Sequence, residues 1–98
     1  MSKDKKTVIE NLKNLSIEEK KVLAHYLVNQ TQTSDLGIFL NIPRSVEQLM
    51  AKRYLHRHYV HLSTYFSLDS VIWRLLQDNW KEILYEDIFY AHSNQIEN

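Results

Sequence analysis

The chain of 98 residues contains no cysteine, one glycine and one proline, and its 12 lysines and arginines balance its 12 acids. Without cysteine it can form no disulfide and offers no thiolate for catalysis. Because the turns of β-rich proteins rely on Gly and Pro, their scarcity favours helices joined by short polar loops. No apolar run approaches the roughly 20 residues of a membrane helix, and the charged N-terminus lacks the apolar core of a signal peptide. We therefore expect a cytoplasmic protein.

The spacing of apolar residues predicts an all-α fold of five to six short helices, in one domain over residues 1–92 with a flexible tail at 93–98. Ser16 followed by Glu19 is a capping box that predicts where the second helix begins. The helices are expected at Thr7 to Leu15, 17 to 28, Asp35 to Leu40, Arg44 to about His58, Leu68 to Gln77 and Trp80 to about Ala91.

Residues 59–66 can form either a helix or a strand, because most of them are strand formers that follow a predicted helix. This stretch contains no Gly, Pro, Asn or Asp, which argues against a hairpin. We therefore expect a helix that frays near Leu62. Residues 29–34 are uncharged and polar, and are expected to form a linker.

The formal charge is zero overall but unevenly distributed. Residues 1–21 carry six lysines and four acids, and residues 22–62 carry four basic residues and two acids. Residues 63–98 carry two basic residues and six acids. A basic front and an acidic back can steer a charged partner onto one face.

A short helix, a turn and a longer basic helix are predicted between Ser34 and Leu62. Leu36, Leu40 and Ile42 supply apolar positions, and Gly37 supplies a small residue where two helices would cross closely. This pattern resembles the helix-turn-helix of transcription factors, in the form found in LuxR/GerE proteins and sigma factor region 4.

The resemblance implies that the helix from Arg44 onward enters the major groove of DNA. So few basic residues imply weak binding by a monomer at physiological salt, so a dimer is expected. The DNA-binding residues that it implies are Arg44, Ser45, Gln48, Lys52, Arg53 and Arg57.

Aromatic residues alternate with acids in the last third of the chain. They suit a small core, but exposed aromatics also anchor interfaces with a protein partner or a second copy of the chain. An alternative function is therefore an adaptor or inhibitor, of phage or mobile-element type, that occupies a host protein. The candidate interface residues are Trp73, Trp80, Tyr85 and Phe89.

A third hypothesis starts from Arg53 and His58, whose spacing resembles the Arg-x4-His motif of HEPN ribonucleases. That resemblance implies a helical bundle in which paired Arg and His cleave RNA at a dimer interface. His56, His58 and His61 lack the partners of a zinc site, and His58 and His61 would share a helix face. We expect no metal, no cofactor and no catalytic set, so a non-enzymatic regulator is the leading prediction.

Overall fold

A computed structural model describes residues 4–37 and 41–97, with the backbone alone for residues 85–97. These residues form four helices and a three-stranded antiparallel sheet of order β1-β3-β2, so the all-α prediction is wrong. Among them, no helix is both long and apolar enough to cross a membrane. The elements are α1 (Lys5–Lys13), α2 (Ile17–Val28), β1 (Thr33–Ser34), α3 (Arg44–Ala51), β2 (Leu55–Val60), β3 (Ser63–Leu68) and α4 (Ser70–Glu97).

Helix α2 has the predicted bounds, and α1 begins and ends two residues before its predicted bounds. The Ser16 hydroxyl accepts a hydrogen bond from the Glu19 amide at 3.1 Å, and the Glu19 carboxylate accepts one from the Ser16 amide at 3.1 Å. Since these bonds satisfy two amides at the start of α2, the predicted capping box is confirmed.

Helix α3 ends seven residues before the predicted end, because Arg53 takes a left-handed conformation with φ of +66°. The Arg53 amide donates to the Met50 carbonyl, and the Tyr54 amide donates to the Leu49 carbonyl. These two bonds form a Schellman motif, in which glycine usually occupies the left-handed position. The predicted long basic helix is therefore wrong, and nothing in the sequence marks this helix end, because it carries no glycine there.

The segment after Arg53 forms the hairpin β2–β3, which corrects the prediction of a fraying helix. Six residue pairs join its strands, from Leu55 and Leu68 at the base to Val60 and Ser63 at the tip. His61 has φ of +58° in the two-residue connection, the sign that hairpin turns require at their first central residue. The strand propensity of these residues was therefore the better guide.

The predicted polar linker contains the edge strand β1. Thr33 pairs with Ser67, and the Leu68 amide donates to the Gln32 carbonyl at 2.9 Å. Asp35 and the next residues form a turn rather than the start of a helix, and residues 38–40 of the predicted third helix lie outside the described residues. Gly37 has φ of +66°, and a Cβ there would meet nothing within 4 Å, so conformation rather than close helix packing explains it.

The hydrophobic core lies between the sheet and all four helices. Tyr26 of α2 is fully buried and donates its hydroxyl to the Phe66 carbonyl of β3 at 2.7 Å. Helix α4 is kinked at Asn79, and its helical backbone includes residues 93–97 of the predicted tail. Val71, in the first turn of α4, is 63% exposed. The buried residues of α4 are Ile72, Leu75, Leu76, Ile83 and Leu84.

Candidate nucleic-acid interface

Helix α3 buries one side and exposes the other, as the spacing of its residues requires. Val46 and Leu49 are buried in the core. Arg44 and Glu47 are exposed, and Gln48 is half-buried at the edge between the two sides. With half-buried Ser45, the exposed side presents one guanidinium, one carboxylate and one amide.

Lys52 is held in a structural ion pair. Its ammonium group contacts the carboxylate of Glu19, whose side chain is only 5% exposed. Burial alone raises the pKa of Glu19, but hydrogen bonds from Lys52 and Ser16 outweigh it and hold that pKa below the ordinary value. Lys52 therefore ties the C-terminus of α3 to the N-terminus of α2.

Arg57 lies on the hairpin rather than on a recognition helix. It pairs with buried Phe66, and directly opposed residues lie on one face of a sheet. Arg57 and Tyr59 thus occupy the same face as buried Leu55, beyond the point where the core ends. Because α3 contacts β2, Arg57 lies on the strand that adjoins α3.

Arg53 is the first exposed residue beyond α3 and its Lys52 C-cap. Arg53 lies in the turn between α3, which begins with Arg44, and β2, which carries Arg57. It therefore adds a third exposed cation to those of Arg44 and Arg57. All six predicted DNA-binding residues are exposed or half-buried, and they lie on α3, in the turn after it or on β2. Lys52 differs from the other five because its ammonium group contacts the nearly buried Glu19 carboxylate.

The opposite face of the hairpin carries His56 and His58, since the side chains of a strand alternate. His58 Nε2 is hydrogen-bonded to Ser67 Oγ at 2.8 Å, and His56 Nε2 lies 3.3 Å from a carboxylate oxygen of Asp69. The helical face expected for His58 and His61 does not exist, because these residues lie in a strand and a turn. Within the described residues, no three His, Cys, Asp or Glu side chains are grouped to hold a metal.

The HEPN hypothesis loses its structural premise. It implied a helical bundle, whereas His58 lies on a strand and Arg53 at a helix terminus. His58 is already bound to Ser67 on the face of the sheet away from Arg57.

The chain is free of acids from the middle of α3, just after the exposed Glu47, to the end of the hairpin. From Gln48 to Leu68 the sequence contains Lys52, Arg53, Arg57 and three histidines, but no Asp or Glu. By contrast, residues 69–97 hold six acids and two basic residues. The structure thus confines the uneven charge seen in the sequence to two different sets of elements.

A groove of about 670 Å³ lies between the end of α2 and the first part of α4. Trp73 and Trp80, both predicted as interface residues, line it together and are half-buried. The side chains of Tyr85 and Phe89 lie outside the described residues. The full lining is Leu27, Val28, Gln30, Trp73, Gln77 and Trp80.

Two groups of exposed apolar residues were missed by sequence reasoning. Val28 at the groove is 44% exposed, and Leu62 at the hairpin tip is 103% exposed. The apolar spacing around Val28 is that of an ordinary buried helix face, so it gave no signal. The strand propensity of residues 59–66 could have revealed the tip.

No protein-family model, curated protein or solved structure matches this chain. The class of the molecule is therefore defined by its own architecture, a small mixed α/β domain with a hairpin beside helix α3. Its function must be inferred from the charges and shapes of its surfaces.

Proposed function

We propose that the protein is a small non-enzymatic regulator that binds duplex DNA. The binding surface combines the exposed side of α3 with the β2–β3 hairpin, which stands beside it as a wing. We call this the helix–wing surface and define it by Arg44, Ser45, Gln48, Arg53 and Arg57 together with the hairpin tip at residues 59–62.

The observation that carries the proposal is the absence of acids from Gln48 to Leu68, on elements that adjoin each other in space. Exposed cations that outnumber the carboxylates around them attract an anionic polymer, and neutralising phosphates supplies much of the affinity for DNA. Glu47 is the one carboxylate on the exposed side of α3, beside Arg44. The six acids of residues 69–97 are concentrated in α4 and the turn before it. The charge distribution therefore favours binding at one end.

The shapes of the two elements suit a duplex. The major groove, about 12 Å wide, admits a helix or a two-stranded ribbon. The eight residues of α3 span about 12 Å, enough for one groove crossing. Arg44 at the start of α3 can bind guanine and Gln48 can bind adenine, while Arg53 and Arg57 contact phosphates.

Binding to mixed-sequence duplex DNA, followed by fluorescence anisotropy at two salt concentrations, tests the proposal. The test variant is Arg44→Ala/Arg57→Ala, and Lys52 is left intact because its ion pair supports the fold. The matched control is Lys6→Ala/Arg74→Ala, which removes the same charge from exposed positions on α1 and α4.

We expect wild type and the control to bind with the same salt dependence. In the test variant the slope of log K against log salt should fall by about 1, because Arg57 is its one phosphate contact, and the loss of the Arg44 base contact should weaken binding further. Equal losses in the two variants would show non-specific attraction to net charge. No binding by folded wild type at low salt would refute DNA binding by this chain.

The second candidate function is binding to another protein through the Trp73 and Trp80 groove. Half-buried tryptophans at an open apolar groove are a typical anchor of protein interfaces. This candidate includes the adaptor or inhibitor hypothesis, and it also includes self-association, which would double the number of cations presented to DNA. The two candidates use different surfaces, so one protein can carry both.

A further inference from the structure

The hairpin tip combines complete exposure with apolar side chains. Leu62 is 103% exposed, and Tyr59 and Val60 are 68% and 45% exposed. Tight turns usually contain Gly, Asn, Asp or Ser, so an apolar residue at the end of a hairpin is uncommon there. Within the part of the chain that the structure describes, no residue covers the Leu62 side chain.

The hairpin tip projects from the domain, and hydrogen bonds hold the base of the hairpin in place. Phe66, on β3, is 1% exposed, and Leu62 lies four residues further out. At about 3.3 Å per residue, the tip extends roughly 13 Å beyond the core. The hydrogen bond between His58 and Ser67, and the pairing of β1 with β3, hold the base of this projection.

The groups around the tip favour an anionic partner. Arg57 is exposed three residues before Val60, and Val60 pairs with Ser63 in the last pair before the turn of His61 and Leu62. No acid lies on either strand. Duplex DNA offers a partner for both kinds of group, because its outer phosphates can pair with the Arg57 cation and its inner base faces can contact the apolar tip. Apolar side chains such as leucine enter the minor groove and partly unstack a base step.

We propose that Leu62 is an apolar wedge that enters the minor groove and bends DNA while α3 occupies the major groove; this rests on the proposed function. The minor groove is about 6 Å wide, so it admits the leucine but not the whole hairpin. The cost of unstacking is lowest at flexible TA and CA/TG steps. The wedge would therefore give sequence preference at a position without base hydrogen bonds.

Bending is measured by energy transfer between dyes on the two ends of a short duplex, with a central TA step or a central GC step. The test variant is Leu62→Ala. The control is Val71→Ala, which truncates another exposed apolar residue on α4. Circular dichroism establishes that each variant is folded, and anisotropy on the same duplexes gives the affinity.

We expect wild type and Val71→Ala to bring the duplex ends closer, more strongly at the TA step. Leu62→Ala should keep the affinity within about tenfold, because phosphate contacts dominate binding, yet leave the duplex straight. A bound but unbent duplex with wild type, or equal bending with Leu62→Ala, would overturn the wedge and leave DNA binding intact.

If folded wild type binds neither duplex, the wedge and the proposed function both fail. Co-sedimentation with vesicles of phosphatidylserine and phosphatidylcholine then identifies the other anionic partner. Binding to these vesicles that Leu62→Ala abolishes would assign the tip to a lipid surface instead.

Discussion

The helix–wing surface and the groove between α2 and α4 differ in how they could attract a partner. The first is rich in cations, free of acids from Gln48 to Leu68, and projects from the domain. The second is concave, apolar and next to the acidic part of the chain. A surface of the first kind suits a charged polymer at long range, whereas one of the second kind suits a close apolar contact. A chain of zero net charge thus presents one cationic, projecting surface and one apolar, concave surface.

The largest expected effect concerns the groove. Replacing both Trp73 and Trp80 by alanine should weaken any self-association or partner binding by about 2 kcal/mol or more, as for other tryptophan anchors. Sedimentation equilibrium measures self-association, and Lys6→Ala/Arg74→Ala serves as the control. If the tryptophan variant associates as wild type does, the groove is not an interface between copies of the chain.

The ion pair beneath the helix–wing surface gives the next effect. Lys52→Met should lower the free energy of unfolding by about 1–3 kcal/mol, because it leaves the nearly buried Glu19 carboxylate without its cation. Urea unfolding measures the loss. The double variant Lys52→Met/Glu19→Gln should recover part of it, and a loss as large in the double variant as in the single one would contradict a role for the unpaired charge.

The same carboxylate predicts a pH dependence. Because the folded protein holds the pKa of Glu19 below its ordinary value of 4.5, its stabilisation is complete above 4.5 and is lost as pH falls through the lower folded value. The unfolding free energy of wild type should thus fall more steeply than that of Glu19→Gln on acidification below about pH 4.5. Parallel curves for the two proteins would show that Glu19 is not responsible.

The smallest effect concerns the turn that separates α3 from the wing. Arg53→Gly should stabilise the fold by up to about 1 kcal/mol, because glycine adopts positive φ without the steric cost that arginine has. The same variant should weaken DNA binding, since it removes an exposed cation. Arg53→Asn, which tolerates the left-handed conformation, separates the charge from the backbone effect. Destabilisation by glycine would contradict the assigned conformation.

The positions of the helices α1 and α2 could be predicted because their signals are local. The capping pair Ser16 and Glu19 and the apolar spacing of α1 act within single turns of helix. The sheet could not be predicted in the same way, because its turns use Gln30, Arg53 and His61 at positive φ in place of glycine. The scarcity of glycine therefore gave misleading evidence against turns.

Residues of the candidate site could be proposed from the sequence where the signal was the type of a single residue, and not where it depended on contacts between distant residues. Arg44, Gln48 and Arg57 were identified by charge and type, which the sequence gives directly. The ion pair between Lys52 and Glu19 joins residues 33 apart, so only the tertiary fold shows that Lys52 has a buried partner. The convergence of Trp73, Trp80 and the end of α2 likewise depends on helix packing.

The most direct test of DNA binding through the helix–wing surface is an NMR titration of the ¹⁵N-labelled protein with duplex DNA. We predict that amide shifts will concentrate in residues 44–53 and 56–62, while the amides of residues 71–84 change little. Shifts concentrated in residues 71–84, or no shifts at low salt, would contradict the assignment of DNA to this surface.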